Sequence, residues 1–421
     1  MKLFLLTLVA CFALAQPLYA APALTLDEAL ELALINHPQV IEAVENQRGA
    51  EARSGQSRAG YYPQVTIAAD WNRGRSFIAA QESIRTTEAN SAAVYLKQTI
   101  YDFGRTAGTV DTFRAQREAA DHALAVTRQD VILRVKSAFY LLLAAEKQVA
   151  AVADTVTARS EVLRQAQEFF SQGIRAKVDV ARAESNFYAA KTALIRAENN
   201  RDIARLELAG AMGVATLGER IPVEPAPVTA NLPDRDHALR DATANRGELQ
   251  QLIAQKTAAS ATVKTAKSSY LPLLTATANA GYADRDIPPS GNVWGVGVNL
   301  TVPLFSGFSS VEQVREATAA FNAVEARQSN LRLQIGKEVE SARLGVNEAA
   351  ARMGSTAQEV VAATLNRELA EGRYHEGVGT VIEATDAQSQ ALDAQTANIQ
   401  ARYDYYVALA RFDRAVGKSE K

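Results

Sequence analysis

The residues best suited to chemistry are two carboxylates near the start of a predicted helix. The segment from Gly379 to Ala387 reads GTVIEATDA, so Glu383 and Asp386 are three residues apart and share one helix face. Carboxylates in this arrangement attract cations, but they also suit the positive end of a helix dipole. Both interpretations concern electrostatics rather than the making of bonds.

Other reactive patterns are missing from the sequence. The four histidines are scattered without the spacing of metal ligands. There is no GxxxxGK[ST] phosphate-binding loop and no GxSxG nucleophile elbow. The four scattered histidines are His37, His122, His237 and His375. We therefore expect no enzyme, no cofactor and no bound metal, so that any energy must come from a partner protein.

Composition narrows the class further. The chain has 421 residues, with 45 basic and 47 acidic side chains, and this balance gives no reason to expect a nucleic-acid partner. Aromatic residues make up only 7% while alanine is abundant, which is typical of long helices with narrow contact seams.

The first twenty residues predict a secretory signal peptide, with an apolar run from Leu3 to Ala15 followed by small residues. Cleavage after Ala15 and cleavage after Ala20 both fit. The only cysteine is Cys11, inside the apolar run, and a lipid-anchored cysteine there is the less favoured alternative. A mature chain without cysteine suits an oxidising compartment, so we expect an exported protein.

Very long helices are predicted to position the carboxylates. No proline occurs from Gly104 to Gln172 and no glycine after Gly108, which predicts a helix of about 100 Å at ~1.5 Å per residue. Apolar residues recur every seventh position, which indicates coiled-coil packing. The seam consists of Val135, Leu142, Val149, Val156, Leu163 and Phe170, then of Val339, Val346, Met353 and Val360, with Arg367 and Tyr374 as a polar end.

The second half of the chain repeats the first. Gly173 and Gly377, which end the long helices, are 204 residues apart (377 − 173), and so are Gly213 and Gly417, which end the returning helices. We predict an internal duplication. Its parts are a signal peptide (1–20), a first repeat with a helix, two strands and a long helical hairpin (21–213), a linker or equatorial segment (214–235), a second repeat (236–417) and a tail (418–421).

Four segments alternate between apolar and polar residues with period two. They are 65–72, 94–97, 275–282 and 294–302, with connecting loops expected at 73–90 and 284–292. Such strands fit either a half-buried sheet of a soluble domain or a transmembrane barrel. In a membrane, four strands leave two edges that hydrocarbon does not tolerate, so several chains would share a barrel of eight, twelve or sixteen strands.

The ordered motifs resemble the TolC family of outer-membrane efflux and export channels. LTLDEALELALINHP resembles its first helix, GYYPQV and SYLPLL its entries into strands, and LKQTIYDFGR and LTVPLFSGF its exits. Thr99 replaces a proline and Val302 a glutamine of the usual pattern. The motifs are specific as an ordered set that occurs twice.

The resemblance implies a mostly α fold with some β structure, assembled as a homotrimer. Twelve shared strands would form a transmembrane β-barrel in the outer membrane of a Gram-negative bacterium, and twelve helices an α-barrel across the periplasm. It also implies a passive exit duct in contact with outer-membrane lipid, which works with a periplasmic adaptor (membrane fusion) protein and an inner-membrane ABC or RND-type transporter.

Alternatives remain at the level of function. The cargo, either small molecules for efflux or a protein for type I secretion, is not encoded in these motifs. A periplasmic coiled-coil adaptor or scaffold protein without a membrane barrel is the other class of protein that uses long helical hairpins.

The family also suggests roles for the hairpin turns. In a trimer, Glu383 and Asp386 would form two stacked acidic rings at the periplasmic entrance, where they would act as a gate that favours cations. Gly173, Gly377 and Gly379 lie in the turns.

Asp179 and Tyr374 match the residues that hold the family's entrance closed. Asp179→Ala and Tyr374→Phe are therefore expected to make the channel leak large antibiotics, although Tyr374 would serve equally well as a packed seam aromatic. Gly379 stands where the family has a latch arginine, so this contact is missing unless Arg175, Lys177 or Arg373 replaces it.

Overall fold

The computed structural model describes residues 23–78, 83–226 and 232–418. The predicted signal peptide lies outside the described residues, as do residues 227–231 of the linker and 419–421 of the tail. The described chain forms two compact units. The first contains residues 23–33, 134–226 and 352–404, and the second contains the remainder.

Helices make up most of the described chain. They are α1 (Leu26–Asn36), α2 (Pro38–Ser57), α3 (Arg105–Ser171), α4 (Lys177–Ala211), α5 (Arg235–Asn245), α6 (Gly247–Lys267), α7 (Ser309–His375) and α8 (Val381–Ala415). The strands are β1 (Ala23–Leu24), β2 (Gln64–Ile78), β3 (Ser83–Tyr101), β4 (Ile221–Pro222), β5 (Leu273–Asp284) and β6 (Gly291–Thr301). Among the described residues, none of these helices is long and apolar enough to cross a membrane.

The long helices have matching lengths in the two halves of the chain. Helices α3 and α7 each have 67 residues, and α4 and α8 each have 35. Helix α7 begins 204 residues after α3 (309 − 105), and α8 begins 204 residues after α4 (381 − 177). The spacing found in the sequence is therefore also the spacing of the helix boundaries.

The residues of the predicted α3 seam are buried at one end of the seam but not at the other. Val135 and Leu142 are fully buried, but further along Val162 is buried while Leu163 is only partly buried and Phe170 is exposed. At this end, Val162 and Ala166 are the α3 residues buried in a cluster with Tyr374, Val381 and Ala384, so the buried face has left the heptad positions. The prediction of a strict heptad seam up to Phe170 was therefore wrong at its last positions.

Four strands of the second unit form one antiparallel sheet in the order β2-β3-β5-β6. The β3–β5 pairing, with Leu96 opposite Ala278, joins the two halves of the chain in this sheet. Apolar side chains of β6, such as Trp294, Val296 and Val298, are exposed. The sheet thus has two edges, β2 and β6, and a face that nothing in the described chain covers.

The first hairpin of this sheet is longer than the sequence suggested. Within the expected loop 73–90, residues 73–78 continue β2 and residues 83–90 belong to β3, with Arg73 opposite Glu88 and Arg75 opposite Thr86. Trp71 Nε1 also donates a hydrogen bond of 2.9 Å to Glu88 Oε1 across the hairpin. The polar sequence concealed the strand because cross-strand pairs, which stabilise a polar hairpin, cannot be read from composition.

Residues 214–226 of the linker lie within the first unit. Strand β4 pairs in parallel with β1, and the Val223 backbone N–H donates to Leu24 O at 2.9 Å. The carboxylate of Glu224 lies 2.7 Å from Arg402 and 3.6 Å from Lys147. These contacts bind residues 221–224 to the long helices.

Candidate functional site

The turns after α3 and α7 end their helices in the same way. Gly173 and Gly377 have φ of +73° and +74°, a left-handed conformation that favours glycine. The backbone N–H of Gly173 donates to Phe170 O at 3.0 Å, and that of Ile174 to Phe169 O at 2.9 Å. Equivalent bonds follow Gly377, so each turn is a Schellman motif that satisfies the last helical carbonyls.

The start of α8 presents both predicted carboxylates to solvent. Thr380 caps the helix, and its Oγ1 accepts a hydrogen bond of 3.2 Å from the Glu383 backbone N–H. Glu383 and Asp386 are exposed, whereas Val381 and Ala384 are buried on the other side of the helix. The predicted acidic face therefore points away from the packed interior.

One cation lies close to this acidic face. The Arg373 guanidinium is 4.0 Å from the Glu383 carboxylate, and both side chains are more than half exposed, at 63% and 51%. Such an exposed pair contributes only ~0–1 kcal/mol to stability. It still places a positive charge beside one of the two predicted acidic positions.

Tyr374 is packed in the interior of the tips of the two hairpins. Only 2% of it is exposed, and its ring meets that of Phe169 edge-on, with centroids 5.8 Å apart. The surrounding apolar cluster draws on all four long helices. Its buried members are Val162, Ala166, Ala183, Tyr374, Val381 and Ala384. The packed-aromatic interpretation therefore applies to the Tyr374 ring.

The Tyr374 hydroxyl has no hydrogen-bond partner among the described residues. Burial raises its pKa, and the negative charge of Asp179 raises it further, while Arg175 acts in the opposite direction. Asp179 itself lies in the first turn of α4 and is partly buried. The Asp179 charge thus disfavours ionisation of Tyr374, and no hydrogen bond joins the two predicted latch residues in the described chain.

Arg175 makes the hydrogen bonds between the two turns. Its Nη2 donates to Gly377 O at 3.0 Å and to Gly379 O at 2.6 Å. The acceptors are backbone carbonyls, which a sequence pattern does not reveal. The sequence offered Arg175, beside Lys177 and Arg373, as a replacement for the missing latch arginine, and Arg175 lies 204 residues before Gly379 (379 − 175), as its counterpart in the first half.

Gly379 is buried at the point of closest approach. A Cβ atom there would lie 2.9 Å from Tyr374 N and 3.0 Å from Arg373 C, which is too close for a side chain. Its backbone N–H donates to Arg373 O at 2.8 Å. The turn is therefore compact because residue 379 is glycine.

A separate ion cluster, which sequence reasoning missed, lies in the second unit. Arg246, with 5% of its surface exposed, pairs with Glu248 at 2.9 Å and with Glu338. Arg414 pairs with Glu248 at 2.5 Å and with Asp130 at 2.8 Å. Burial alone would raise the pKa of Glu248, but hydrogen bonds from both arginines and the Arg414 charge outweigh it and lower the value to about 2.

No group of His, Cys, Asp and Glu within the described ranges is arranged to hold a metal ion.

Comparisons with known proteins agree over nearly the whole chain. The model of the family described as outer membrane efflux protein matches residues 29–214 and 238–418. Outer membrane protein TolC of Vibrio cholerae serotype O1 is 25% identical over 391 residues, which cover 91% of this chain and 88% of that protein. The alkaline protease secretion protein AprF of Pseudomonas aeruginosa is 25% identical over 414 residues, covering 92% and 83%.

Among solved structures, the outer-membrane channel OprN has a similar fold. Its TM-score is 0.83 at 21% sequence identity, and the match covers 94% of this chain and 90% of that one. At this identity the likeness concerns the fold.

Proposed function

We propose that this chain, which belongs to the outer membrane efflux protein family, forms a passive exit duct for substrates delivered by an inner-membrane pump. The family match over both halves confirms the resemblance to TolC, the location in the outer membrane of a Gram-negative bacterium and the expectation that the chain is not an enzyme. A periplasmic adaptor or scaffold without a membrane sheet is not favoured.

The open-edged sheet is the observation that carries the proposal. Its β6 face exposes large apolar side chains, which suits contact with lipid, and its edges β2 and β6 need partners. Three chains would close these edges in a barrel of twelve strands. The number three comes from the family resemblance, since the physics of edges requires only more than one chain.

The same assembly gives the hairpins their role. Three copies of α3, α4, α7 and α8 would supply a twelve-helix α-barrel, built from two similar halves of each chain. The equal helix lengths and the offset of 204 residues (309 − 105) support this duplication. Glu383 and Asp386, both exposed at the start of α8, would form acidic rings at the periplasmic entrance.

The entrance would be held closed by contacts between the two hairpins. Asp179 and Tyr374 remain the proposed latch residues, with the Tyr374 ring acting through packing and Asp179 through its charge. Gly173, Gly377 and Gly379 would shape the turns that carry them.

The partners are a periplasmic adaptor and an inner-membrane transporter of the ABC or RND type. AprF is by its name a protein of alkaline protease secretion, so secretion of a protein is a cargo class to be tested here beside efflux of small molecules.

Complementation tests the function directly. The full chain is produced in a Gram-negative strain that lacks its own exit duct but retains pumps and adaptors. We expect restored resistance to pump substrates, restored secretion of a type I substrate, or both. If the protein reaches the outer membrane but restores neither, and conducts no ions in planar bilayers, it is not an exit duct.

A further inference from the structure

One face of the four-stranded sheet carries apolar side chains on every strand. Residues directly opposite each other in antiparallel strands lie on the same face. One row across the sheet consists of Ile67, Val94, Ala280 and Trp294. Ile67, Val94 and Trp294 are exposed. Since side chains alternate along a strand, the face that exposes Trp294 also carries the odd-numbered residues of β2.

Along β2, this face changes from apolar to basic. Val65, Ile67 and Trp71 are exposed apolar side chains on it, and the next two positions beyond Trp71 on the same face are Arg73 and Arg75. Arg73 lies about 27 Å along the strand from Val65, at ~3.4 Å per residue. In a strand tilted by ~40°, this length covers about 20 Å of depth, comparable with the apolar band of ~25 Å in transmembrane barrels. The arginines therefore begin close to where the hydrocarbon would end.

A tryptophan ends the apolar run on each edge strand of the sheet. Trp71 and Trp294 are the only two tryptophans of the chain, and they are 59% and 75% exposed. On β2 the next residue on this face is Arg73, and on β6 the residue beyond Trp294 is Asn292. Exposed tryptophans at this place are typical of the boundary between membrane and water. Arg73 and Arg75 thus lie on the headgroup side of this boundary.

The two arginines are exposed and have no protein partner in the described chain. Neither makes an ion pair or a hydrogen bond with another described residue. Glu88, which lies opposite Arg73 in the register, accepts its hydrogen bond from Trp71 Nε1 at 2.9 Å instead. Two guanidinium groups on one strand, two residues apart, are therefore available to a partner outside the chain.

We propose that Arg73 and Arg75 bind the phosphate groups of the glycolipid that forms the outer leaflet of the outer membrane. A guanidinium binds phosphate through two parallel N–H donors, which makes arginine well suited to phosphate-bearing headgroups. The helices join β2 at Gln64 and β3 at Tyr101, so the hairpin that carries the arginines lies at the other end of the sheet. The inference rests on the proposed function, which places this end of the sheet outside the cell.

The test uses the full-length protein in detergent, freed of copurified lipid, with lipid A that carries two phosphates as the probe. Binding is followed by tryptophan fluorescence, because Trp71 lies two residues from Arg73. Lipid A with a single phosphate keeps the acyl chains but lacks one phosphate group. Inorganic phosphate supplies the group without the chains. The three probes separate headgroup recognition from contact with acyl chains and from a site for free phosphate.

Two double variants with the same change in net charge are compared with wild type. Arg73→Ala/Arg75→Ala removes the proposed site, and Arg327→Ala/Arg332→Ala removes two exposed arginines of α7, at least about 27 Å along the helix from its start. Melting temperatures measured without lipid should equal that of wild type in both, since all four side chains are exposed.

We expect the lipid A with two phosphates to bind wild type and the α7 variant saturably and with equal affinity. Arg73→Ala/Arg75→Ala should bind it about 30-fold more weakly, the effect expected for the loss of two basic residues at an anionic lipid surface. Lipid A with one phosphate should bind wild type more weakly, and inorganic phosphate at equal concentration should not displace the lipid.

Wild-type affinity in Arg73→Ala/Arg75→Ala would overturn the inference, and so would an equal loss of affinity in the α7 variant. Equal binding of the two forms of lipid A would show that phosphate is not recognised, and displacement by inorganic phosphate would reveal a site for the free ion instead of lipid. If wild type binds lipid A as expected but neither conducts ions nor restores resistance or secretion, the proposed duct fails while the lipid site stands.

Discussion

At the residue scale, the two carboxylates of α8 differ in their surroundings. Glu383 has the Arg373 guanidinium at 4.0 Å, while the described residues give Asp386 no ion-pair partner within that distance. A neighbouring cation reduces the field that a carboxylate presents to passing ions. In the proposed entrance, Asp386 would therefore attract cations more strongly than Glu383.

This difference leads to an ordered prediction for ion selectivity. Asp386→Ala should lower the preference for cations more than Glu383→Ala, the double variant should lower it most, and Arg373→Ala should raise it. Reversal potentials in asymmetric salt measure this directly. Because surface charges are screened, the differences should shrink as ionic strength rises.

A control for these variants is Glu198→Ala, which removes an exposed carboxylate about 30 Å along α4 from its first residue, at ~1.5 Å per residue. It should leave the reversal potential unchanged. Equal effects of Glu198→Ala and Asp386→Ala would contradict a selective ring at the hairpin turn.

The sequence predicts a candidate site at the start of α8, and this stays a prediction; the contacts inside the turns could not be predicted from the sequence. Glu383 and Asp386 stood out because carboxylates three apart share a helix face. The role of Tyr374 was ambiguous, because its phenol suits either a hydrogen bond or a packed interior. The structure buries the ring and leaves the hydroxyl without a partner among the described residues. Tyr374→Phe therefore removes no hydrogen bond in this structure, and a leak in this variant would need another cause.

At the element scale, Glu248 at the start of α6 joins two helices. It accepts hydrogen bonds from Arg246, just before α6, and from Arg414 at the end of α8. Its side chain is 22% exposed, and its pKa falls from 4.5 to about 2. Because the folded-state value lies below the unfolded one, the stabilisation is complete above pH ~4.5 and disappears as the pH falls through about 2.

Glu248→Gln should therefore lower the free energy of unfolding at pH 7 by up to about 3 kcal/mol, since one pKa unit corresponds to ~1.4 kcal/mol. The difference from wild type should narrow as the pH falls below ~4.5. Thermal unfolding in detergent, followed by circular dichroism over this pH range, provides the measurement.

Glu338→Gln is the matched control, because Glu338 also pairs with Arg246 but its side chain is 52% exposed. Glu338→Gln should therefore lower the free energy of unfolding at pH 7 by less than Glu248→Gln does. If the loss of stability of Glu248→Gln relative to wild type stays constant from pH 7 to 3, the charge of Glu248 is not its cause.

The sheet is the other element with a direct test. Val296 lies at the middle of β6 on the exposed apolar face, while Thr277 of β5 lies opposite Gly297, the next residue of β6, on the other face of the sheet. A lysine on a lipid-facing strand at the bilayer centre costs about 2–4 kcal/mol, whereas lumen-facing positions tolerate charge.

We therefore expect Val296→Lys to reduce insertion into the outer membrane strongly and Thr277→Lys to insert like wild type. Membrane fractionation and extraction with urea or detergent would separate the two outcomes. Normal insertion of Val296→Lys would contradict lipid contact on this face.

Element boundaries were predictable where glycine and helix periodicity mark them, and less so in the sheet. Helices α3 and α7 end beside Gly173 and Gly377, as the sequence indicated. The outer halves of β2 and β3 were missed because residues 73–90 are mostly polar. Their strand character depends on pairs such as Arg73 with Glu88, which only the register reveals.

At the scale of the whole molecule, the chain presents surfaces that it does not cover itself. Sheet edges β2 and β6 lack neighbours among the described strands, and the apolar face of β6 is exposed. Unpaired strand edges in a membrane require that several chains share one barrel, but they do not determine the number of chains. The proposed number of three comes from the family resemblance. Composition does not give this number, since barrel closure depends on strand tilt and stagger.

The measurement that tests the shared barrel most directly is the size of the protein extracted from outer membranes with detergent. Mass photometry, together with gel mobility of heated and unheated samples, gives the oligomeric state. A heat-sensitive particle of three mature chains, released only by detergent, is the expected result. A monomer or dimer that is released without detergent would contradict both the membrane sheet and the proposed duct.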